Sequence, residues 1–218
     1  MIIDERMIAF IQSLDKGNTP FLTELEEEAV RTDVPIIRPA MQSLMRFLLQ
    51  LHKPSRILEV GTAIGFSAIL MAEYSPKNCQ ITTIEKYEKR IPLAKANFEA
   101  SGYADRITLL EGDAADILKG LEGTFDMIFM DAAKAQYIHF MPDVMRLLAP
   151  GGLLVSDNVM QDGEIIESRF AVIRRNRTIH GRMREYLFAL THDDRLETVV
   201  LPVGDGVTLS IKKEDIHG

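Results

Sequence analysis

A doubly wound α/β fold is the expectation here, with a mainly parallel sheet and an antiparallel hairpin at its C-terminal end. Three observations carry it. From Lys53 onward, short, nearly all-apolar β-rich runs alternate with amphipathic stretches, the pattern of parallel strands covered by helices on both faces. The last two strand candidates are joined by a short turn-rich connection, Val203-Gly204-Asp205-Gly206, which suggests a hairpin. The chain ahead of Lys53 reads as helical.

In that leading segment, residues 1 to about 52, apolar positions recur at helical spacing in Met7-Ile8-Phe10-Ile11-Leu14 and in Met41-Leu44-Met45-Leu48-Leu49. Thr19-Pro20 and Val34-Pro35 break the pattern and mark helix boundaries. The segment reads as a lid or dimerisation element on a core spanning 53–218. In the core the expected strands are Arg56 to Val60, Gln80 to Ile84, Ile107 to Leu110, Phe125 to Met130 and Gly152 to Ser156. Helices are expected around Ser67–Glu73, Pro92–Ser101, Ala114–Leu121 and Tyr137–Leu148, with a long one from Glu164 to Leu190. Glu197–Pro202 and Val207–Lys212 form the hairpin. No repeat, low-complexity tract or linker interrupts the chain, so residues 1–218 are expected to form a single domain.

The 218 residues suit one large α/β domain with a short extra segment. An apolar content of 46% excludes a disordered chain. The single cysteine, Cys79, cannot form an internal disulfide, which points to a reducing compartment and a cytoplasmic location. Met1-Ile2-Ile3-Asp4-Glu5-Arg6 lacks the basic-then-apolar order of a signal peptide. Apolar runs such as Met127-Ile128-Phe129-Met130 are far too short to cross a bilayer, so no membrane partner is expected. A net charge of −7 disfavours nucleic acid over the surface as a whole. There is one local exception: Arg169, Arg174, Arg175, Arg177, Arg182 and Arg184 follow one another with His180 among them and no acid between. That stretch is either a solvated helix face or a phosphate-binding patch.

In open α/β sheets ligands bind beyond the carboxyl ends of the strands, and polar groups recur there. The first strand runs through Glu59 into Val60-Gly61-Thr62-Ala63-Ile64-Gly65-Phe66-Ser67. Gly61 and Gly65 permit a sharp turn and close approach to a ligand, and Ser67 opens the following helix. Ala63 stands where the dinucleotide fingerprint has its second glycine, so the loop departs from that fingerprint. Glu85 ends the second strand, where a carboxylate can accept from both hydroxyls of a ribose. Asp113, in Glu111-Gly112-Asp113-Ala114, is placed to bond an adenine amino group, to cap a helix, or both.

The fourth strand ends in Asp131-Ala132-Ala133-Lys134-Ala135-Gln136-Tyr137 and the fifth in Asp157-Asn158-Val159. If these strands are neighbours, Asp131, Asp157 and Asn158 converge into a hard-oxygen site suited to Mg²⁺ or another divalent cation such as Ca²⁺. The absence of a nearby cysteine or paired histidine argues against zinc. Lys134, beside such a cation, is a candidate general base; the alternative is a lysine paired with an aspartate. Tyr137 is either a core aromatic or a wall of the ligand site.

These residues together resemble the metal-dependent O-methyltransferases that include catechol and caffeoyl-CoA O-methyltransferases. The likeness extends from about Val34 to Lys213 and rests on Ile57 to Ser67, Glu85, Asp131 to Lys134 with Tyr137, and Asp157 to Val159. Within that family it is closest to the bacterial tRNA 5-hydroxyuridine methyltransferases, on Val34-Pro35-Ile36, Gln136-Tyr137 and Pro202 to Gly206 as well. The resemblance implies a Rossmann-like methyltransferase fold that binds S-adenosylmethionine. Ile37, Ser67, Glu85, Asp113, Ala114 and Asp131 would contact that cofactor, with Glu59, Gly61 and Gly65 in its loop. Asp131, Asp157 and Asn158 would hold Mg²⁺, and Lys134 would take the base position. The implied substrate is 5-hydroxyuridine in a tRNA anticodon loop, gripped by Arg174, Arg175 and Arg177, and a homodimer is implied. The alternatives are a catechol-like phenol as substrate, or a non-catalytic nucleotide-binding protein that kept the fold.

Overall fold

The computed structural model describes residues 5–214; Met1–Asp4, most of the segment read above for a signal peptide, and Asp215–Gly218 lie outside them. The chain opens with three helices, α1 (Glu5–Ser13), α2 (Pro20–Arg31) and α3 (Pro39–His52). Strand and helix then alternate through β1 (Arg56–Val60), α4 (Phe66–Tyr74), β2 (Gln80–Glu85), α5 (Ile91–Ser101), β3 (Ile107–Glu111), α6 (Ala114–Gly120), β4 (Phe125–Met130), α7 (Tyr137–Leu147) and β5 (Leu148–Asp157). After α8 (Arg177–His192), β6 (Leu196–Leu201) and β7 (Val207–Lys212) complete the chain.

The sheet order is β3-β2-β1-β4-β5-β7-β6. The first five strands pair in parallel, and β7 joins antiparallel to both β5 and β6. This is the doubly wound sheet with a terminal antiparallel hairpin that the alternation predicts. Winding reverses between β1 and β4, and a crevice opens at such a reversal. Successive residues of a strand point to opposite faces, so each central strand feeds two cores. Ile57, Met127, Phe129 and Val155 pack under α2 to α5, whereas Leu58, Ile128, Met130 and Leu154 pack under α6 to α8. Helix α4 is buried from Phe66 through Ala72, as expected of a helix that is apolar all round.

Pro20 begins α2, as its break predicts, whereas α3 waits until Pro39. Leu22, Leu25, Met41, Met45 and Leu49 from these two helices are fully part of the core. Helix α1 differs: Phe10 is 63% exposed and Ile11 58%. Among the described residues no helix is long and apolar enough to cross a membrane.

The largest departure from expectation is the long helix over Glu164–Leu190. Only its second half is α-helical. A 3-10 segment, Gln161–Ile166, is kinked at Asp162 and Gly163, where φ is +51° and +88°, and a second, Arg174–Asn176, precedes α8. The physical reason lies in side chains that claim backbone and polar partners a helix would need elsewhere. Asn176 Nδ2 donates to both carboxylate oxygens of Glu164, at 3.0 and 2.8 Å. Arg177 donates to the carbonyls of Val172 and Phe170. A continuous apolar stripe is also lacking, because Ile165 and Val172 are buried while Ile166 and Phe170 face solvent. The regular buried face starts at His180 and continues with Met183, Tyr186 and Leu190.

Candidate functional site

The crevice at the strand ends encloses a pocket of about 620 Å³, large enough for a nucleoside-sized ligand. Its geometry starts at the β1 loop. Gly61 has φ +97°, and a Cβ there would lie 2.3 Å from the carbonyl oxygen of Asp131. Only glycine therefore lets the β1 and β4 loops close together. The ladder also continues past the strand ends, with Asp131 N donating to Val60 O and Gly61 N to Ile84 O. Gly65, at φ +92°, caps α4, and a Cβ there would strike the Phe98 ring.

Of the residues expected to meet a cofactor, Ile37, Gly61, Ser67, Glu85, Asp113, Ala114 and Asp131 all line this pocket. Glu59 and Gly65 stand behind it. Glu59 is wholly buried, with Oε2 accepting from Thr83 Oγ1 and Oε1 without a hydrogen-bond partner. Burial pushes its carboxyl above the ordinary value, against nearby hydroxyls of Ser67, Thr83 and Thr62. Glu85 accepts from the backbone N–H groups of Ala63, Lys86 and Tyr87, which fixes its carboxylate at the mouth of β2. Asp113 caps α6 through Ala115 N, at 2.9 Å, and pairs with Lys86 at 3.2 Å. The Ala115 bond, then Lys86, holds the Asp113 carboxyl below the usual range. Both suggested uses of Asp113 are thus compatible, since it caps the helix and lines the pocket.

Strands β4 and β5 are neighbours, with Met130 opposite Ser156. Asp131 and Asp157 therefore leave adjacent strands at the same level, on strands spaced by about 4.8 Å. Burial, then the negative charges of Asp157 and Glu59, pushes the Asp131 carboxyl up to about 7. Burial likewise pushes Asp157 up to about 6. Asn158 follows in the left-handed region, φ +58°, a conformation Asn tolerates better than most residues, and it lines the same pocket. Among the described residues no three His, Cys, Asp or Glu side chains gather as a metal cluster; the set is two carboxylates and one amide. Its chemistry fits a hard divalent cation, since all the donors are oxygens and the two acids gain from a shared positive charge.

Lys134 lines the pocket wall. Its ammonium lies 3.4 Å from Asp205 Oδ2, so the aspartate that pairs with it comes from the β6–β7 turn. Asp205 is a residue the sequence reading missed. It is buried, and its other oxygen accepts from Asp162 N, pinning the segment after β5. Arg38 reaches the same rim with a 2.9 Å bond to Asp162, which raises its guanidinium further.

Tyr137 is a core residue. Its hydroxyl shares one proton between Met130 O at 2.9 Å and Asp157 O at 3.2 Å, and its ring meets Tyr186 edge-on at 5.4 Å. Burial holds its phenol well above the ordinary value. The arginine run divides in two. Arg177, Arg182 and Arg184 donate to the backbone carbonyls of Val172 and Phe170, of Ala135, and of Ile165 respectively. Arg177 is half-buried and holds two carbonyls of the preceding segment. Arg169, Arg174 and Arg175 are exposed.

Comparison with known proteins agrees with this geometry. Residues 12–213 match the family model described as O-methyltransferase. The chain is 33% identical over 168 residues to a catechol O-methyltransferase of Niastella koreensis, covering 75% of this chain and 70% of that protein. It is 32% identical over 171 residues to caffeoyl-CoA O-methyltransferase 1 of Eucalyptus globulus, covering 76% and 70%. Among solved structures, the S-adenosylhomocysteine-bound methyltransferase PaMTH1 of Podospora anserina superposes with a TM-score of 0.86 at 31% identity, over 96% of this chain and 95% of that one. With the family model spanning nearly the whole chain, this protein belongs to the O-methyltransferase family.

Proposed function

We propose that this chain is a cytoplasmic O-methyltransferase that takes its methyl group from S-adenosylmethionine and uses a divalent cation, Mg²⁺ foremost. The observation that carries the reading is the union of two features in one crevice: a nucleoside-sized pocket lined by Asp131 and Asn158, and the buried Asp157 beside Asn158 at the end of the neighbouring strand. When bound, the donor supplies an electrophilic methyl on sulfur and the cation holds and polarises two neighbouring oxygens of the substrate. Transfer forms an O–CH₃ bond as the S–CH₃ bond breaks; the hydroxyl proton departs and S-adenosylhomocysteine leaves.

Each residue has a part. Glu85 receives the ribose hydroxyls, Asp113 faces the adenine, and the Gly61 loop admits the amino-acid end. Asp131, Asp157 and Asn158 hold the cation. Lys134 stands beside them and, in its neutral amine form, would take the hydroxyl proton, becoming the ammonium that pairs with Asp205.

The substrate we propose is 5-hydroxyuridine at the wobble position of tRNA, converted to 5-methoxyuridine. Its 5-hydroxyl and 4-carbonyl offer the pair of adjacent oxygens that such a cation binds. Exposed Arg169, Arg174 and Arg175, on the segment that leaves the metal site, support it by their fit to anticodon-loop phosphates. A second reading, a catechol-like phenol, is favoured by the relatives named above and by the same two-oxygen geometry. The exposed apolar residues of α1 support pairing with a second copy.

The test is incubation with labelled S-adenosylmethionine, Mg²⁺ and tRNA carrying 5-hydroxyuridine, followed by digestion and mass spectrometry. The expected product is 5-methoxyuridine, lost on adding chelator. Efficient methylation of catechol with no tRNA product would move the function to small phenols. No transfer to either acceptor would overturn both readings.

A further inference from the structure

The two tyrosines behind the acidic site have no place in the chemistry above, yet they sit at the point that fixes it. The β4–β5 ladder ends at the pair Met130 and Ser156. One residue further, each strand presents a carboxylate. At that level Tyr137, the first residue of α7, puts its hydroxyl between the strands, 2.9 Å from Met130 O and 3.2 Å from Asp157 O. The phenol replaces the next rung of the ladder, bonded to the carbonyl just before one acid and to the carbonyl of the other acid itself. The single phenol proton is shared between two carbonyls, one from each strand, at their last residues.

Tyr186 braces it from a different helix. Its ring packs edge-on against Tyr137, and its hydroxyl shares a 2.7 Å bond with Ser156 Oγ. Both tyrosines are fully buried. Two helices thus tie down the three residues Met130, Ser156 and Asp157, which set where Asp131 and Asp157 leave the sheet.

We propose that Tyr137, braced by Tyr186, is a positioning residue that sets the separation of Asp131 and Asp157 and so the affinity of the site for its divalent cation. The proposal rests on the metal reading given above. Groups that orient metal ligands without touching the ion commonly alter affinity ten- to hundredfold.

The experiment is titration of the full chain with Mn²⁺, free ion being read by electron paramagnetic resonance. Affinity for S-adenosylhomocysteine is measured separately by calorimetry in chelator. Tyr137→Phe is expected to raise the Mn²⁺ dissociation constant roughly tenfold while S-adenosylhomocysteine affinity stays at the wild-type value. A folded Tyr137→Phe protein with wild-type Mn²⁺ affinity overturns the proposal, as does a parallel loss of both affinities, which marks general disruption. Should Tyr137→Phe fail to fold, Tyr186→Phe decides, because it removes only the bond to Ser156. A weaker loss of Mn²⁺ affinity is then expected, and an unchanged affinity overturns the idea. Absence of Mn²⁺ binding by the wild-type chain would instead overturn the metal reading, and this inference with it.

Discussion

Asp131→Asn is expected to do two opposite things: abolish metal-dependent methyl transfer and make the metal-free protein more stable at alkaline pH. The Asp131 carboxyl stands at about 7 against an ordinary 3.8, raised by burial and then by Asp157 and Glu59. A carboxyl raised on folding binds its proton more tightly in the folded state, so its ionisation works against the fold. That cost is absent below pH 4, grows through the interval up to 7, and is complete above it. The full interval corresponds to a ceiling of roughly 4 kcal/mol; water in the open pocket screens the charge, leaving about 1–2 kcal/mol. Asn keeps the shape and removes the charge. In chelator at pH 8, Asp131→Asn should therefore melt about 4 °C above wild type, given about 2–4 °C per kcal/mol for a domain of this size. Near pH 4 the two should coincide. Mg²⁺ should reverse the order, raising only the wild-type chain. Scanning calorimetry at both pH values, with and without Mg²⁺, makes the comparison. A variant less stable than wild type in chelator at pH 8 would refute the electrostatic account of the site.

Asp205→Asn breaks the ion pair with Lys134 and should lower kcat by roughly tenfold or more, with S-adenosylhomocysteine affinity unchanged in calorimetry. An unaltered kcat would show that Lys134 does not depend on it. Replacing Arg174 and Arg175 together by Ala should depress turnover of tRNA much more than binding of S-adenosylmethionine. The slope of log affinity against log salt should become shallower by roughly 1.5 to 2; equal loss of both activities would exclude a phosphate-binding role. Phe10→Asp with Ile11→Asp, both exposed on α1, should convert the proposed dimer to a monomer in sedimentation velocity, and a species of unchanged mass would remove α1 from the interface.

Much of the fold is legible in the sequence because its signals are local. Strands β1, β4 and β7 begin and end where the sequence places them, because turn-forming residues such as Ser55, Gly61, Gly123 and Gly206 stand close to their ends. The misread stretch, Glu164–Asn176, fails for a non-local reason. Its path is decided by a bond between Glu164 and Asn176 and by arginines reaching backbone carbonyls, contacts that leave no period in the sequence. The acids Asp131 and Asp157 are legible through the strand-end rule alone. Asp205 is not, because its four-residue turn looks like any hairpin connection. Its position depends on β7 inserting beside β5 with Val207 opposite Asp157, which swings the turn to the carboxyl end of the parallel strands. Periodicity predicts the hairpin without saying where it docks, and the docking is what gives Asp205 its neighbours.

The same division governs the question of substrate. A cation held by Asp131, Asp157 and Asn158, as proposed, would select for two adjacent oxygens, a feature that catechols and 5-hydroxyuridine share, so discrimination would fall to the rim. There the break in the expected helix has a consequence. In one continuous helix the arginines between 169 and 184 would spread around its circumference. Instead Arg177 and Arg184 are spent on carbonyls of the irregular segment, and Arg182 on the carbonyl of Ala135 ahead of α7. Arg169, Arg174 and Arg175 face outward, without an ion pair among the described residues. Asp162 N bonds to Asp205, which also pairs with Lys134, so the start of the segment bearing these charges is anchored beside Lys134. Phosphates gripped by them would thus be held in fixed relation to Lys134, a coupling for which a small phenol has no use and a nucleotide loop does.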